Sequence, residues 1–585
     1  MQTTLYQEIE QNFRQAFDSL GIATNTPIVL QEASRPEFGD YQVNGIMGAA
    51  KQLKINPRQL AEQVIELLHK QSTTSWFAKL ELAGPGFINI HLAKQYLEHF
   101  LANQYLKAQN YQFLQISPPQ TIVVDYSAPN LAKEMHVGHL RSTVIGDSLV
   151  RIYEFLGHKV IRRNHVGDWG TQFGMLTAYL CQLNQQGDKD IELHDLENFY
   201  RQAKLKFDED ASFADLAREY VVRLQSGDQQ ILALWQQFVD ISLGHCQQIC
   251  DLLGAKLTRD DAVGESAYNN LLAPMVKLLM DSGIAIDSEG AKCVFLTPEE
   301  LGTKEDSPFI IQKKDGGYLY ATTDIAAVYD RVNNLQAHRL VYVIDARQSL
   351  HMKQLFVVTK KAHIAPDNLV MQHAAFGTMM GEDGKPFKTR SGGTVKLIDL
   401  INEAISRARQ MISQRNPDWS SEQIEQLAHP LAIASIKYAD LSKNRLSDYI
   451  FSFDKMLAFE GNTAPYLLYA VTRINSIFNR AELTLAECLA YPLVLHTEEE
   501  HRLALHLAKF AEKIQLTANE NYPHYLCTYI YELAGLFMRF YEACPILKEG
   551  VNLDLRNSRL ALAALAGEIL QTSLGLLGIN TVERM

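Results

Sequence analysis

Two histidines bracket a glycine in the string Pro129-Asn-Leu-Ala-Lys-Glu-Met-His-Val-Gly-His139. The string follows a short apolar run at residues 122–125 and opens a stretch of helical periodicity from about residue 136 to 156, so it stands at a helix N-terminus. Free N–H groups and the positive end of the helix dipole suit phosphate oxygens there. At i, i+3 spacing, His136 and His139 lie on one face of the first turn, where both imidazoles can hydrogen-bond a phosphate chain. Gly138 lets a flat adenine or ribose approach the backbone. Four residues recur by chance, and a solvent-facing helix start with two incidental histidines is the plainer alternative.

A second segment with chemical potential is Gly377-Thr-Met-Met-Gly-Glu-Asp-Gly-Lys-Pro-Phe-Lys-Thr-Arg-Ser-Gly-Gly393, in which Lys385, Lys388 and Arg390 alternate with small residues. Such a loop can fold over a triphosphate and bring cations to the charge that develops as it reacts; otherwise it is a surface hairpin. No GxxxxGK[ST] loop occurs, and Gly84-Pro85-Gly86 lacks a third glycine at dinucleotide spacing. Cys246 and Cys250 share a helical face at i, i+4, but two ligands do not close a four-ligand zinc site, so a buried face and no metal are expected.

These groups need a scaffold, and 585 residues suffice for several domains. Residues 1–118 read as an α+β unit, with an amphipathic opening helix carrying Leu5, Ile9, Phe13 and Phe17, a second helix over 57–70, and a strand over 87–91. A linker is expected at 109–120. From 119 to 395 strands alternate with helices in the manner of a Rossmann-like nucleotide-binding domain, with strands at 122–125, 160–163, 294–296, 318–321, 340–344 and 374–376. A polar helical insertion is expected at about 180–300. Residues 396–458 read as a helical connection and 459–585 as an all-α bundle. The fold class is multidomain α/β.

With 47% hydrophobic and 21% charged residues, wholesale disorder is excluded. The opening helix does not have the composition of a signal or transit peptide, and no apolar run reaches membrane-spanning length. Seven widely spaced cysteines suit a reducing compartment, and a cytoplasmic protein without membrane association is expected. The net charge of −12 speaks against broad phosphate neutralisation, yet a folded RNA can be held by shape, 2′-hydroxyl contacts and stacking.

The histidine string resembles the HIGH signature of class I aminoacyl-tRNA synthetases. The wider Ser127-Ala-Pro-Asn-Leu-Ala-Lys-Glu-Met-His-Val-Gly-His-Leu-Arg-Ser-Thr143 is similar to the arginyl enzymes in particular. So are Asn164-His-Val-Gly-Asp-Trp-Gly-Thr-Gln-Phe-Gly174, Lys437-Tyr-Ala-Asp-Leu-Ser-Lys-Asn-Arg445, Phe459-Glu-Gly-Asn-Thr-Ala-Pro-Tyr466 and the ending Gly578-Ile-Asn-Thr-Val-Glu-Arg-Met585. The Gly-rich loop occupies the place of the family's KMSKS loop but contains no KMSK string.

The resemblance implies a class I catalytic domain, an N-terminal domain that touches the tRNA elbow, and a C-terminal anticodon-binding bundle. It implies ATP as substrate with Mg²⁺, L-arginine and tRNA(Arg) as partners, and activation that requires bound tRNA; the chain is expected to act as a monomer. A guanidinium calls for a carboxylate, since only a planar acceptor pair meets its fork of donors. Tyr320 and Asp324 are suitably spaced if a helix starts there, and Asp125 ends a strand at the edge where such sheets bind ligands. By resemblance, Asp324 and Tyr320 contact the guanidinium, Asp125 and Asn130 hold the α-amino or carboxylate end, and Gln348 completes the pocket. Asp125 as a turn former and Asn130 as an N-cap are the structural alternatives. Lys133, His136, Gly138, His139, Lys385 and Lys388 are the expected catalytic residues, with Lys133 supplying the charge that the absent KMSK lysine would. Tyr466, Tyr469, Tyr525, Tyr529 and Tyr541 are candidates for base stacking, though no residue is assigned to tRNA. The rival reading is a catalytically inactive tRNA-binding paralogue.

Overall fold

Five short strands build an all-parallel sheet in the order Val370–His373, Arg339–Tyr342, Thr121–Asp125, Lys159–Val166, Ala262–Gly264. Ile122, Val123 and Val124 are buried without alternation, as a strand covered by helices on both faces requires. The chain leaves Thr121–Asp125 towards Lys159–Val166 and Ala262–Gly264 on one side, then returns to Arg339–Tyr342 on the other. The crevice beyond the carboxyl ends of the 121–125 and 339–342 strands is therefore a topological switch point. The computed structural model describes residues 4–71, 76–106, 109–185, 196–304, 307–387 and 395–585.

The helix Gly138–Phe155 packs on this sheet with most of its residues buried. Gly146 sits in its middle, where glycine is a poor helix former, and a reason is visible. A Cβ there would lie 2.3–2.4 Å from the Tyr126 side chain, which is wholly buried at the end of the first strand. On another flank Ile325, Val328, Leu355 and Val358 from helices Tyr320–Asn333 and Ser349–Lys361 join Val123 and Leu340 in one apolar cluster.

Three expectations are corrected. Residues 318–321 form no strand: Tyr318 makes one isolated bridge to Gln312, and a helix starts at Tyr320, its first turn tied down by the Thr322 hydroxyl donating to the Ile311 carbonyl. The last ladder is Val370–His373, and residues 374–376 only extend it through Ala374 N–H to the Tyr342 carbonyl and an Asp345–Phe376 bridge. The stretch 180–300 is not helical throughout. After Gln229–Leu253 it includes the sheet's edge strand, Ala262–Gly264, and part of a separate antiparallel sheet of Ile286–Ser288, Ala291–Leu296 and Ser307–Gln312. Cys246 and Cys250 are buried on the Gln229–Leu253 helix, and burial pushes both thiols up to about 12.

The chain divides into two compact units. One comprises Ile116–Ala458 with Leu576–Asn580; the other comprises Met1–Gln115, Phe459–Gly575 and Thr581–Met585. Within the first, Lys437 is fully buried and its ammonium donates to the carbonyls of Leu253 and Gly578, with burial lowering it to about 8. Within the second, a four-stranded antiparallel sheet of the N-terminal segment is joined to the C-terminal helices. Glu32 lies between Lys509 and Lys513, which pull its carboxyl down to about 2 against the opposing effect of burial. The boundary between the units falls inside the expected linker, whose first part belongs to this unit: Gln109–Leu114 forms a 3₁₀ turn that buries Tyr111 and Leu114. Of the tyrosines considered for base stacking, Tyr529 is buried against His506, whereas Tyr469 is 40% exposed with its hydroxyl held by Arg473. No helix among the described residues is long and apolar enough to cross a membrane.

Gly146→Ala should force the Tyr126 ring off the helix. Overpacking of this kind costs about 1–3 kcal/mol, and the loss should read as a lower urea midpoint for the unit containing the parallel sheet.

Candidate active site

The segment that links the first strand to its helix is strained and heavily tied. Ser127 and Ala128 both take positive φ, 74° and 46°, each costing on the order of 1–3 kcal/mol for a non-glycine residue. Hydrogen bonds offset that strain. Ser127 N–H donates to the Ser142 hydroxyl, Ser142 in turn to the Val343 carbonyl, and Ala128 N–H to the Asn164 amide oxygen. Leu131 N–H and the Gly167 carbonyl, with Gly167 N–H and the Pro129 carbonyl, zip the segment to the turn after the second strand.

The two histidines are orientated by backbone. His136 N–H donates to Nδ1 of His139, and Gly138 N–H donates to Nδ1 of His136, with ring centroids 4.0 Å apart. A ring nitrogen that accepts carries no proton, so these bonds assign the Nε2–H tautomer to both rings and leave Nε2–H as their donor. Burial, then the neighbouring His136, lowers His139 to about 3, so it is a neutral donor at physiological pH. Gly138 is required by space: a Cβ would come within 2.7 Å of the His136 ring and push it away.

Both roots of the Gly-rich loop are anchored near this motif. At its far end Val137 N–H donates to Val395, Leu397 N–H donates to Met135, and Lys396 pairs with Glu134. At its near end Gly377 N–H donates to Arg445 and Thr378 N–H to the Asp448 carboxylate, while Met379–Met380 pairs with Tyr449–Ile450. Arg141, in the first turns of the motif helix, is buried against Asp440 at 3.1 Å and donates to the Ser447 carbonyl. Lys385 is exposed on the turn that closes Gly381 onto itself. Lys388 and Arg390 lie outside the described residues. Lys133 is exposed, its ammonium 4.8 Å from the centre of the Tyr200 ring.

At the switch point a cavity of about 470 Å³ is lined by Asp125, Asn130, Tyr320, Asp324 and Gln348 together with His165, Glu265, Tyr342 and His351. All five residues expected to bind substrate thus share one hollow. Helical geometry puts Tyr320, Asp324 and Arg331 within about 40° of one another on the Tyr320–Asn333 helix. The first two face the cavity, and the third lies beneath it. Asp324 is held by His351 Nε2 at 2.6 Å, with His165 Nδ1 4.0 Å from its other oxygen. Burial raises Glu265 to about 8, and the charges of Asp168 and Asp324 add to the shift. Burial and Glu265 likewise raise the Tyr320 phenol. Asn130 also plays its local role, its side-chain oxygen accepting from Ala132 N–H. A larger hollow of about 570 Å³ on the antiparallel sheet, lined by Phe295, Ile310 and Lys314 among others, contains none of the residues singled out by sequence.

Asp125 has a second partner that the sequence hides. One carboxylate oxygen lies 2.5 Å from the guanidinium of Arg331, and both side chains are almost wholly buried. Sequence reading also missed Glu265, His165 and His351. His165 sits in a string already notable and His351 lies three residues after Gln348, whereas Glu265 follows a three-residue strand inside a polar stretch and has no motif around it. Asp125→Ala should leave Arg331 buried without its counter-charge. A cost of about 3–5 kcal/mol is expected, visible as a lower thermal midpoint even without ligands.

A profile for the family described as "tRNA synthetases class I (R), catalytic domain" matches residues 101–453. The DALR anticodon binding domain matches residues 467–585, and the arginyl tRNA synthetase N-terminal domain residues 7–92. The arginine–tRNA ligase of Cellvibrio japonicus is 54% identical over 580 residues, 99% of both chains, and that of Chromobacterium violaceum is 52% identical over the full length of both. Among solved structures, arginyl-tRNA synthetase from Plasmodium falciparum covers both chains completely at 30% identity with a TM-score of 0.86. The Thermus thermophilus enzyme, at 24% identity, shares the fold with a TM-score of 0.80 over 99% of this chain and all of its own. With three profiles in the order that its architecture requires, and with relatives more than half identical from end to end, this chain belongs to the family of class I arginyl-tRNA synthetases.

Proposed function

We infer that this chain is an arginine–tRNA ligase: it activates L-arginine with ATP, releases pyrophosphate, and transfers the arginyl group to the 3′-terminal ribose of its tRNA. The observation that carries the reading is the switch-point cavity, where Asp324 and Glu265 present two carboxyl groups beside the strand end that runs into the histidine motif. A catalytically inactive tRNA-binding paralogue finds no support, because His136, Gly138, His139 and Asp324 are all in place.

In this assignment the guanidinium lies against Asp324 and Glu265 under Tyr320, displacing the His351 contact from Asp324. The α-amino and carboxylate end lies towards Asn130, Gln348 and the oxygen of Asp125 that Arg331 leaves open. The arginine carboxylate attacks the α-phosphorus of ATP and pyrophosphate departs. Because both groups are held in one cleft, positioning and electrostatic stabilisation supply the rate, with no covalent enzyme intermediate. The Nε2–H donors of His136 and His139 face the phosphates, and Mg²⁺ enters with ATP as part of the substrate. A ribose hydroxyl of the tRNA then attacks the adenylate carbonyl and AMP leaves.

The family's loop lysine has no counterpart in a KMSK string, and Lys133 takes that role here. Its exposed ammonium rests on the Tyr200 ring, a contact worth about 0.5–1 kcal/mol in exposed settings, so it can swing to a bound triphosphate. Lys385 and Lys388 assist loop closure. The protein is assigned to the cytoplasm as a monomer; its tRNA-contacting residues are left unassigned.

Pyrophosphate exchange with each of the twenty amino acids, with and without tRNA, should respond to arginine alone and only when tRNA is present. Exchange with lysine but not arginine would refute the substrate. Lys133→Ala should slow single-turnover adenylate formation by about 10²-fold or more, the scale of losing one preorganised contact to the transition state, with tRNA affinity unchanged. Adenylate formation at the original speed would return Lys133 to a solvated surface role.

A further inference from the structure

The turn after the second strand, Gly167-Asp-Trp-Gly170, is not used by the reaction as described, yet three elements converge on its aspartate. Asp168 is 3% exposed. Its carboxylate accepts from Ser266 N–H at 3.0 Å and from the Ser266 hydroxyl at 2.5 Å. Its own carbonyl accepts from the Trp235 indole at 2.6 Å, and Trp235 packs edge-on against Trp169. Gly264 faces it, and a Cβ there would lie 1.9 Å from the carboxylate, so only glycine admits this arrangement. Ser266 is the residue after Glu265. The turn therefore grips the backbone that carries a cavity-lining carboxylate.

The charge balance around Glu265 is lopsided. Asp168 faces it from this turn, and Asp324 and Tyr320 from the helix Tyr320–Asn333. The groups able to become cationic nearby are His165 on the strand Lys159–Val166 and His351 on the helix Ser349–Lys361, and both approach Asp324. Three carboxylates in a half-desiccated pocket do not all ionise readily; burial raises Asp168 as well, but the two donors from Ser266 and the nearby His165 oppose it and favour the ionised form there. The proton therefore stays on Glu265 until a cation arrives.

We propose that Asp168 is a positioning residue of the arginine pocket: through Ser266 it fixes the backbone bearing Glu265, and its fixed charge makes that wall exchange a proton for the incoming guanidinium. The step balances simply. The Glu265 carboxyl and a guanidinium cation become a carboxylate–guanidinium pair, and one proton passes to solvent. The proposal rests on the arginine pocket assigned above.

The sign follows. Glu265 titrates at about 8 in the free protein, well above an ordinary glutamate, so proton release accompanies binding below that pH. The KM for arginine should fall about tenfold per pH unit as pH rises towards it, then level off. Asp168→Asn removes the charge, and the midpoint of this profile should move acidward by on the order of one pH unit, with kcat at saturating arginine little changed. Calorimetric titration of arginine in buffers of different ionisation enthalpy should count close to one released proton at pH 6.5 in the unaltered enzyme and fewer in Asp168→Asn. Ser266→Ala, which retains the charge and is the milder substitution, should raise the KM for arginine at every pH without moving the midpoint. A midpoint unmoved in Asp168→Asn would overturn the electrostatic half, and an unchanged KM in Ser266→Ala the positional half. Glu265→Gln separates this from the pocket itself: loss of the pH dependence upholds the pocket, while an unaltered KM and profile would overturn both.

Discussion

Recognition of a guanidinium requires carboxylates partly withdrawn from water, and like charges brought together in such a place repel. Much of the catalytic unit answers that one constraint. Asp125 is neutralised by Arg331 from below, and Asp324 is engaged by His351. Glu265, buried with Asp168 and Asp324 around it, has no ion pair among the described residues, and burial with those two charges raises it to about 8. The acidic character of the cavity is therefore graded. The end over Arg331 is balanced by a buried guanidinium, while the other end gathers Glu265 and Asp324, and in the proposed pocket the guanidinium of the substrate is drawn to that second end.

A second requirement is that the groups around ATP hold their geometry before substrate arrives. Strain at Ser127 and Ala128 is tolerated because Ser142, Thr143 and Asn164 supply bonds that an unstrained turn would not reach. The same logic covers the histidines, whose tautomers are set by main-chain N–H groups rather than by side chains that could rotate. The two roots of the Gly-rich loop are fixed, one on the motif segment and one on residues 445–450. Arg141, pinned between Asp440 and Ser447, ties that second root to the motif helix.

The parallel sheet explains why residues distant in sequence meet. Asp125, His165 and Tyr342 lie at or near the carboxyl ends of three adjacent strands, and Tyr320 begins a helix on that side. A one-turn shift of the Tyr320–Asn333 helix would take Asp324 out of the cavity and Arg331 away from Asp125 together. The residues of the proposed arginine pocket and the buried Arg331–Asp125 pair thus share one helix face.

The sequence by itself determined the family, the helix-start motif with its glycine, the strand–helix alternation and five residues of one pocket. Those features are local: periodicity, spacing and a quoted string survive without knowledge of what packs against them. Tertiary structure alone decided the rest. The strand Ala262–Gly264 is too short to show a pattern, and Tyr318-Leu-Tyr-Ala321 has strand-like composition but begins a helix because Thr322 is tethered to Ile311. Glu265 is one carboxylate among 67 acidic residues until folding sets it between Asp168 and Asp324. Arg331 pairs with a residue 206 positions away. Electrostatic environments are sums over neighbours from many elements, and no window along the chain contains those neighbours.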